Sequence, residues 1–407
     1  MKEKTAISFQ DIYPLLENFI IPQKKTTQVS LEKATELVLA QNIYSPFNVP
    51  SFNNSAMDGW AYSSKDILSE GFTLKEVGSS FAGHPYTGSL NLGECVRIMT
   101  GAMLPDEADT VTKQEIITAE GTSIHFPEKV RPNENVRFKG EEFLSGDLVL
   151  EAGTLLRSGH ISLLASLGIE TLTVYKKIRV AFFSTGDELQ TFGKPLKAGH
   201  IYDSNRYSLQ SMLQECGIEF IDLGILCDNA DSLKKTLLEI APKVDAIITS
   251  GGVSVGQADL TRLVVNEIGT IQPWYCKIRP GKPLAFGKIG NTYFFGLPGN
   301  PTAAQVTFHM IVRFALNLLM GITKPYIPIT LARVKSPIRK KAGVTEFQRG
   351  RLFFENGSVV VDASGTQKTS ALSSMATSNC FILLPEQTQE VESGELVSVL
   401  PFYGVCS

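Results

Sequence analysis

Thr249-Ser250-Gly251-Gly252-Val253-Ser254-Val255-Gly256-Gln257-Ala258-Asp259 follows directly on the apolar run Ala246-Ile247-Ile248. A short apolar run ahead of a glycine-rich polar segment reads as a buried strand that delivers a turn, and then a helix, at one edge of a sheet. Gly251, Gly252 and Gly256, with Ser250 and Ser254, expose backbone N–H groups without side-chain hindrance, and Asp259 falls where the next helix begins. Such a turn suits a phosphate-bearing ligand and its metal. It also serves simply to join a strand to a helix.

Around this stretch, residues 178 to 320 alternate between strand and helix patterns. Ile178–Phe183, Ile218–Leu223, Asp245–Thr249 and Thr292–Phe295 are short, apolar and rich in β-branched or aromatic residues, as buried parallel strands require. Helical patterns lie between them: Asn205 to Cys216 closed by Gly217, Ala230 to Ile240, and Leu260 to Ile268 closed by Gly269. Asn300 as N-cap and Pro301 at the first helical position start a long last helix that Gly321 ends. Pro283–Lys288 and Thr292–Phe295 flank Gly290-Asn291, a hairpin signal inside this alternating order. The block reads as an α/β domain with a mainly parallel sheet. In such a sheet the strand-to-helix turns open on one edge, where ligands bind. Ser184 through Glu188, Gly224 through Asp228, Gly251 through Asp259, and Leu297 through Pro301 all fall there.

Upstream, residues 1 to about 45 look helical, with an apolar face over Asp11 to Phe19 and an amphipathic stretch from Leu31 to Ala40 after a Ser30 cap. Residues 53–140 are rich in Gly, Pro and Thr with short strand-like pieces such as Cys95–Met99, and read as a β-rich insertion. Ile161 to Leu167, ending at Gly168, returns to helix. The expected division is a discontinuous first domain (1–52 plus 141–176), an inserted β domain (53–140), the α/β domain (177–324) and a C-terminal β domain (325–407).

The chain has 407 residues, 43% hydrophobic and 19% charged, with a formal net charge of −3, a balance that excludes a general nucleic-acid binder and makes any anion site a local basic cluster. Met1 to Thr5 lacks a signal-peptide core, and the apolar segment Val306 to Met320 is interrupted by His309, Arg313 and Asn317, so no membrane association and a cytoplasmic location are expected. Cys95, Cys216, Cys227, Cys276, Cys380 and Cys406 form no C-x-x-C pair and read as reduced thiols.

Asp228 and Asp259, each at the exit of an expected strand, are candidate magnesium ligands, because Mg²⁺ takes one or two carboxylates together with substrate phosphates. Each alone would equally serve as an N-cap. Lys277, Arg279 and Lys282 put three cations beside a Pro-Gly turn, suited to an oxyanion or pyrophosphate or to a solvated loop. Arg349 and Arg351 form a second basic pair, near the hydroxyls of Ser370, Ser373 and Ser374. His84, His125, His160, His200 and His309 lie isolated, which argues against a serine-hydrolase triad, and no G-x-G-x-x-G fingerprint is present, which argues against a nicotinamide dehydrogenase.

Ser55-Ala56-Met57-Asp58-Gly59-Trp60-Ala61, Arg97-Ile98-Met99-Thr100-Gly101-Ala102, Ser184-Thr185-Gly186-Asp187-Glu188-Leu189, Gly251 through Gly256, Pro280-Gly281-Lys282-Pro283 and Leu297-Pro298-Gly299-Asn300-Pro301 occur in that order. In this series the chain resembles the molybdopterin molybdenumtransferases of the MoeA type and the C-terminal E domain of gephyrin, from near its start to its last strand. The resemblance implies a multidomain α/β protomer: a molybdopterin-binding α/β domain flanked by a discontinuous helical domain with a β-rich insertion and by a C-terminal β-barrel-like domain. It implies a homodimer with its cleft between the α/β domain of one subunit and the second domain of the other. The implied reaction inserts molybdate into adenylylated molybdopterin with Mg²⁺, releasing AMP and molybdenum cofactor.

The implied catalytic set is Asp58, Thr100, Glu188, Asp228 and Asp259, with Glu188, Asp228, Asp259 and Glu142 toward the metal. The implied substrate-binding set is Gly251, Gly252, Ser254, Gly256, Lys277, Arg279, Lys282, Pro298, Asn300, Pro301, Arg349 and Ser373. Implied partners are molybdopterin adenylyltransferase and molybdoenzyme apoproteins. The chain departs from the family pattern at Glu142, where Asp is frequent, at Asn229 and Gln257, where acids are common, and at Met103, Tyr275 and Arg279. Two other readings are a molybdopterin adenylyltransferase, whose domain shares the Gly-Gly-x-Ser motif, and a non-catalytic dimeric scaffold. The flanking domains weigh against the first, and the retained acids against the second.

Overall fold

A computed structural model describes residues 6–68, 71–127, 130–252, 260–325, 327–363 and 365–402. The chain divides into two compact units, one made of residues 1–40, 153–157 and 172–407 and the other of 41–152 and 158–171.

The first unit is organised by a six-stranded sheet. Its strands are β1 (Arg179–Thr185), β2 (Glu219–Leu226), β3 (Ala246–Ser250), β4 (Thr270–Tyr275), β5 (Pro283–Ile289) and β6 (Thr292–Leu297), in the spatial order β2-β1-β3-β6-β5-β4. β2, β1, β3 and β6 run parallel, and β5 pairs antiparallel with both β6 and β4. The Gly290-Asn291 hairpin therefore forms where its sequence places it. The edge strand β4 carries no such signal: Gln272 and Pro273 interrupt its apolar pattern, and proline is tolerated because an edge strand has a side without a ladder.

Alternation along the strands builds two cores. Val180, Phe182, Ala246, Ile248 and Phe295 face one side, where Leu209 and Leu213 of α1 (Ser204–Glu215) and the apolar face of the N-terminal helix Phe9–Phe19 cover them. Ala181, Phe183, Ile247 and Phe294 face the other, beneath Leu233 and Leu237 of α2 (Ala230–Ile240) and Val264 and Val265 of α3 (Leu260–Ile268). The last helix is interrupted: α4 (Pro301–Thr307) passes through a π turn, Phe308–Val312, into α5 (Arg313–Leu319), and Gly321 at φ +91° follows.

The amphipathic stretch Leu31 to Ala40 does not form the expected helix. Ser30 makes no side-chain cap bond, and only the 3₁₀ turn Leu31–Lys33 is helical. Beyond it Glu36 N–H donates to Leu156, Leu39 to Thr154 and Ala40 to Thr173, so lateral pairing with residues more than a hundred positions away takes the donors a helix would use.

A five-stranded ring closes the C-terminal part of this unit: β7 (Thr330–Val334), β8 (Thr345–Glu355), β9 (Ser358–Ala363), β10 (Cys380–Leu384) and β11 (Leu396–Pro401), with β8 paired to both β9 and β10. The second unit is built on a six-stranded sheet in the order Thr110–Lys113, Gly59–Tyr62, Glu94–Ile98, Phe72–Ser80, Ser123–Phe126 and Thr118–Glu120, and includes the helix Ser158–Ser166. Among the described residues no helix is long and apolar enough to cross a membrane, and Cys95, Cys216, Cys227, Cys276 and Cys380 are unbridged, while Cys406 lies outside them.

His309, on the π turn, is enclosed by the rings of Phe308, Phe381 and Phe402. Burial, reinforced by the charge of Arg313, depresses its pKa to about 3. The folded chain thus binds fewer protons than the unfolded one, whose histidine titrates near 6.5. This contribution to stability is full above pH 6.5 and is lost as the pH falls toward 3, by about 1 kcal/mol per pH unit at its steepest. His309→Phe is expected to lose less stability than the parent between pH 7 and 5 in urea titrations; an identical loss would remove His309 from the acid response.

Candidate functional site

Parallel strands with both faces buried end level with one another, and their turns meet at one edge. A cavity of about 550 Å³ opens there, lined by Thr185, Glu188, Asp203, Asn205 and Asp228, among others, and by the turns containing Gly251, Gly252, Pro298 and Pro301. The turns come close enough to require glycine. Gly251 and Gly252 have φ of +87° and +64°. A Cβ on Gly251 would lie 2.7 Å from the Thr185 carbonyl oxygen, and one on Gly252 would lie 2.4 Å from Thr261 Oγ1.

Glu188 and Asp228 both line this cavity. The Asp228 carboxyl is held above the usual carboxylate range, first by burial and then by the negative charges of Asp187 and Glu188. Among the described residues, the wall also carries buried polar atoms with no hydrogen-bond partner: Ser184 Oγ, Asp203 Oδ2, Asn205 Oδ1 and Thr261 Oγ1. Each such group costs about 1–3 kcal/mol unless something binds it. Repelling acids and unpaired oxygens together describe a site built for a polar ligand that brings donors or a cation. Ser254, Gly256 and Asp259 lie outside the described residues.

The cations gather elsewhere in the same unit. The segment Ile278–Arg279 pairs in parallel with Thr345-Glu346 at the start of β8, which registers Arg279 opposite Glu346. Arg279 and Arg349 consequently line one cavity of about 640 Å³, together with Glu346, Lys368, Thr369 and Ser370. Arg349 is only 1% exposed, and its Nη2 donates to the Thr366 and Lys368 carbonyls at 2.8 and 3.2 Å. Burial lowers its pKa, opposed by Glu346. Arg279 stands 3.8 Å from Glu346, and Lys277 is paired with Glu386 at 3.2 Å. Lys282 is exposed beside Pro283, which lines the strand-edge cavity. Asn300 occupies the cap position of α4 without a side-chain cap bond, and its amide donates to Thr369 Oγ1 instead. Ser373, in the short helix Leu372–Ala376, is exposed and lines neither cavity.

In the second unit Asp58 and Thr100 meet. Gly59 pairs with Ile98 on adjacent antiparallel strands, which brings the preceding Asp58 beside the following Thr100. Asp58 Oδ1 accepts from Thr100 N and Oγ1, both at 2.8 Å, and these two bonds hold its carboxyl below the usual range, with help from Arg97. Glu142 also belongs to this unit and is exposed.

Asp203 and Asn205 escaped the sequence reading, which started α1 at Asn205. Asp203 caps the helix by accepting from Arg206 N–H. An aspartate directly after the apolar pair Ile201-Tyr202 and just ahead of a helical pattern was the available signal.

Three family models cover most of the chain: the MoeA N-terminal region (domains I and II) matches residues 4–168, a probable molybdopterin binding domain matches 181–318, and the MoeA C-terminal region (domain IV) matches 332–402. A molybdopterin molybdenumtransferase of Haemophilus influenzae is 42% identical over 95% of this chain and 96% of its own length. Gephyrin of Dictyostelium discoideum is 31% identical over 92% of this chain and 59% of its own length. The crystal structure of the molybdopterin biosynthesis moeA protein from Pyrococcus horikoshii OT3 superimposes with a TM-score of 0.83 at 26% identity, covering 98% of this chain and 100% of that one. With its three regions matched in order and nearly its whole length shared with the Haemophilus influenzae enzyme, the chain belongs to the MoeA family of molybdopterin molybdenumtransferases.

Proposed function

We propose that this transferase of molybdenum cofactor biosynthesis inserts molybdate into adenylylated molybdopterin in a Mg²⁺-dependent reaction, releasing AMP and molybdenum cofactor. The observation that carries the reading is the strand-edge cavity, whose lining brings the Gly251-Gly252 turn, with both φ positive, together with Glu188 and Asp228.

The residues suit that chemistry. The backbone donor at Gly252 suits a phosphate oxygen, while the Gly251 N–H is held by the Leu297 carbonyl. Magnesium fits the donor set: Glu188 and Asp228 supply two carboxylates, and repulsion from Asp187 and Glu188 already disfavours a charged Asp228 without a counter-cation. A magnesium ion held by two carboxylates would take its remaining ligands from substrate and water. Bound there, the ion would neutralise charge developing on the phosphate as the pyrophosphate linkage breaks. Arg279, Arg349 and Lys282 suit attraction of molybdate, with buried Arg349 prepositioned by its two carbonyl contacts. We further propose that the protein works as a cytoplasmic homodimer, with Asp58 and Thr100 of one subunit completing the site of the other. Molybdopterin adenylyltransferase and molybdoenzyme apoproteins are the proposed donors and acceptors.

Purified protein given adenylylated molybdopterin, molybdate and Mg²⁺ is expected to release AMP only when molybdate and metal are both present, and to activate a molybdoenzyme apoprotein. Substrate binding without turnover would overturn the reading in favour of a carrier. Asp228→Asn and Glu188→Gln are expected to lower turnover at least about a hundredfold. Removing one of the repelling charges leaves Asp228→Asn as stable as the parent or more so, and a large drop in Tm would contradict that electrostatic account. Gly252→Ala meets both a positive φ and Thr261 Oγ1, so about 1–3 kcal/mol of stability and most of the affinity for AMP should go together. Chemical denaturation and AMP titration measure the two.

A further inference from the structure

We propose that Asn205 is a positioning residue of this enzyme: its carboxamide holds the Ser250–Gly252 turn and the Pro298–Asn300 turn at the spacing the substrate requires. The inference rests on the functional reading above and adds to it a residue that touches neither the reacting phosphate nor the metal.

Asn205 sits in the first turn of α1, 8% exposed, and lines the strand-edge cavity. Its Nδ2 donates to Ser250 Oγ at 2.6 Å and to the Gly299 carbonyl oxygen at 2.8 Å. Ser250 ends β3 and leads into Gly251-Gly252, whereas Gly299 follows β6, so one nitrogen spans the ends of two neighbouring strands. The turns it joins are already in contact: a Cβ on Gly299 would stand 3.6 Å from Gly251 Cα, and Gly251 N–H donates to the Leu297 carbonyl at 3.2 Å. A separation set by backbone against backbone changes with any shift of either turn.

The choice of side chain narrows the role. Two acceptors must be served from one short arm, which needs a carboxamide NH₂; a hydroxyl has a single hydrogen and a carboxylate has none. The same carboxamide leaves Oδ1 buried without a partner among the described residues. Stability alone disfavours that arrangement, since a buried unpaired acceptor is costly. Asp203 Oδ2, Ser184 Oγ and Thr261 Oγ1 share that condition around the same cavity, so this wall is organised for something other than its own satisfaction.

The test compares Asn205→Asp and Ser250→Ala with the parent, reading kcat and KM for adenylylated molybdopterin by AMP release, KM for molybdate, the Kd of AMP by calorimetry, and Tm. Asn205→Asp keeps the shape but turns an acceptor toward the Gly299 carbonyl. It is expected to raise KM for the adenylylated substrate and the Kd of AMP by about tenfold, leaving KM for molybdate within about twofold. Ser250→Ala keeps the Gly299 bond and should raise the same two constants by about threefold. A merely structural role would lower Tm and the active fraction without moving KM or Kd, and that pattern overturns the proposal, as do unchanged constants. Should Asn205→Asp fail to fold, Ser250→Ala decides by the same criterion. Parent protein that releases no AMP overturns the functional reading, while the AMP titrations still judge the clamp.

Discussion

The structure of the α/β block depends on strands β1, β3 and β6 being buried on both faces. Successive side chains enter different cores, Phe182 with Ile248 and Phe295 on one side and Phe183 with Ile247 and Phe294 on the other. A one-residue slip of any of these strands would exchange two fitted sets of side chains, so the register is held firmly. The ends of the strands are therefore aligned without any contribution from the site. Thr185, Ser250 and Leu297 finish side by side, and the turns that follow must share the space just beyond them. Glycine at 251 and 252 is then a packing requirement as well as a means of exposing N–H groups.

Charge is distributed with equal economy. A net charge of −3 says little about either cavity. Carboxylates dominate the strand edge, where burial and then the charges of Asp187 and Glu188 raise the cost of ionising Asp228. Guanidinium groups dominate the cavity beside the barrel, where Glu346 partly balances Arg279 and Arg349. Two separate cavities of opposite charge character thus lie within one compact unit.

Much of this was legible before any coordinates. The strands and helices of residues 178–320 follow from apolar runs, glycine stops and the Gly290-Asn291 hairpin, because each is decided by neighbours close in sequence. The helix bounds at Ala230–Ile240, and the helix end at Ile268, agree with the pattern to the residue. Two elements escaped for a common reason. Leu31 to Ala40 has helical periodicity, but its donors are captured by Thr154, Leu156 and Thr173, and β4 is a strand despite Gln272 and Pro273 because β5 lies beside it. Local pattern cannot report partners that are distant in the chain. The acids Glu188 and Asp228 were visible at strand exits, whereas Asn205 was read as an ordinary helix start. Its contacts with Ser250 and Gly299 exist only once three turns have been folded against each other.

The barrel differs from the α/β sheet in one further respect. Strand β8 pairs with both β9 and β10, so the ring of five strands has no first or last member. Every other sheet in a protein leaves two rows of backbone groups that a passing chain can extend. In the α/β sheet one of those rows belongs to β4, where Pro273 removes a donor. The wall of the barrel thus offers an intruding strand no continuous edge to extend, and an added strand is taken where Ile278–Arg279 pairs with the start of β8.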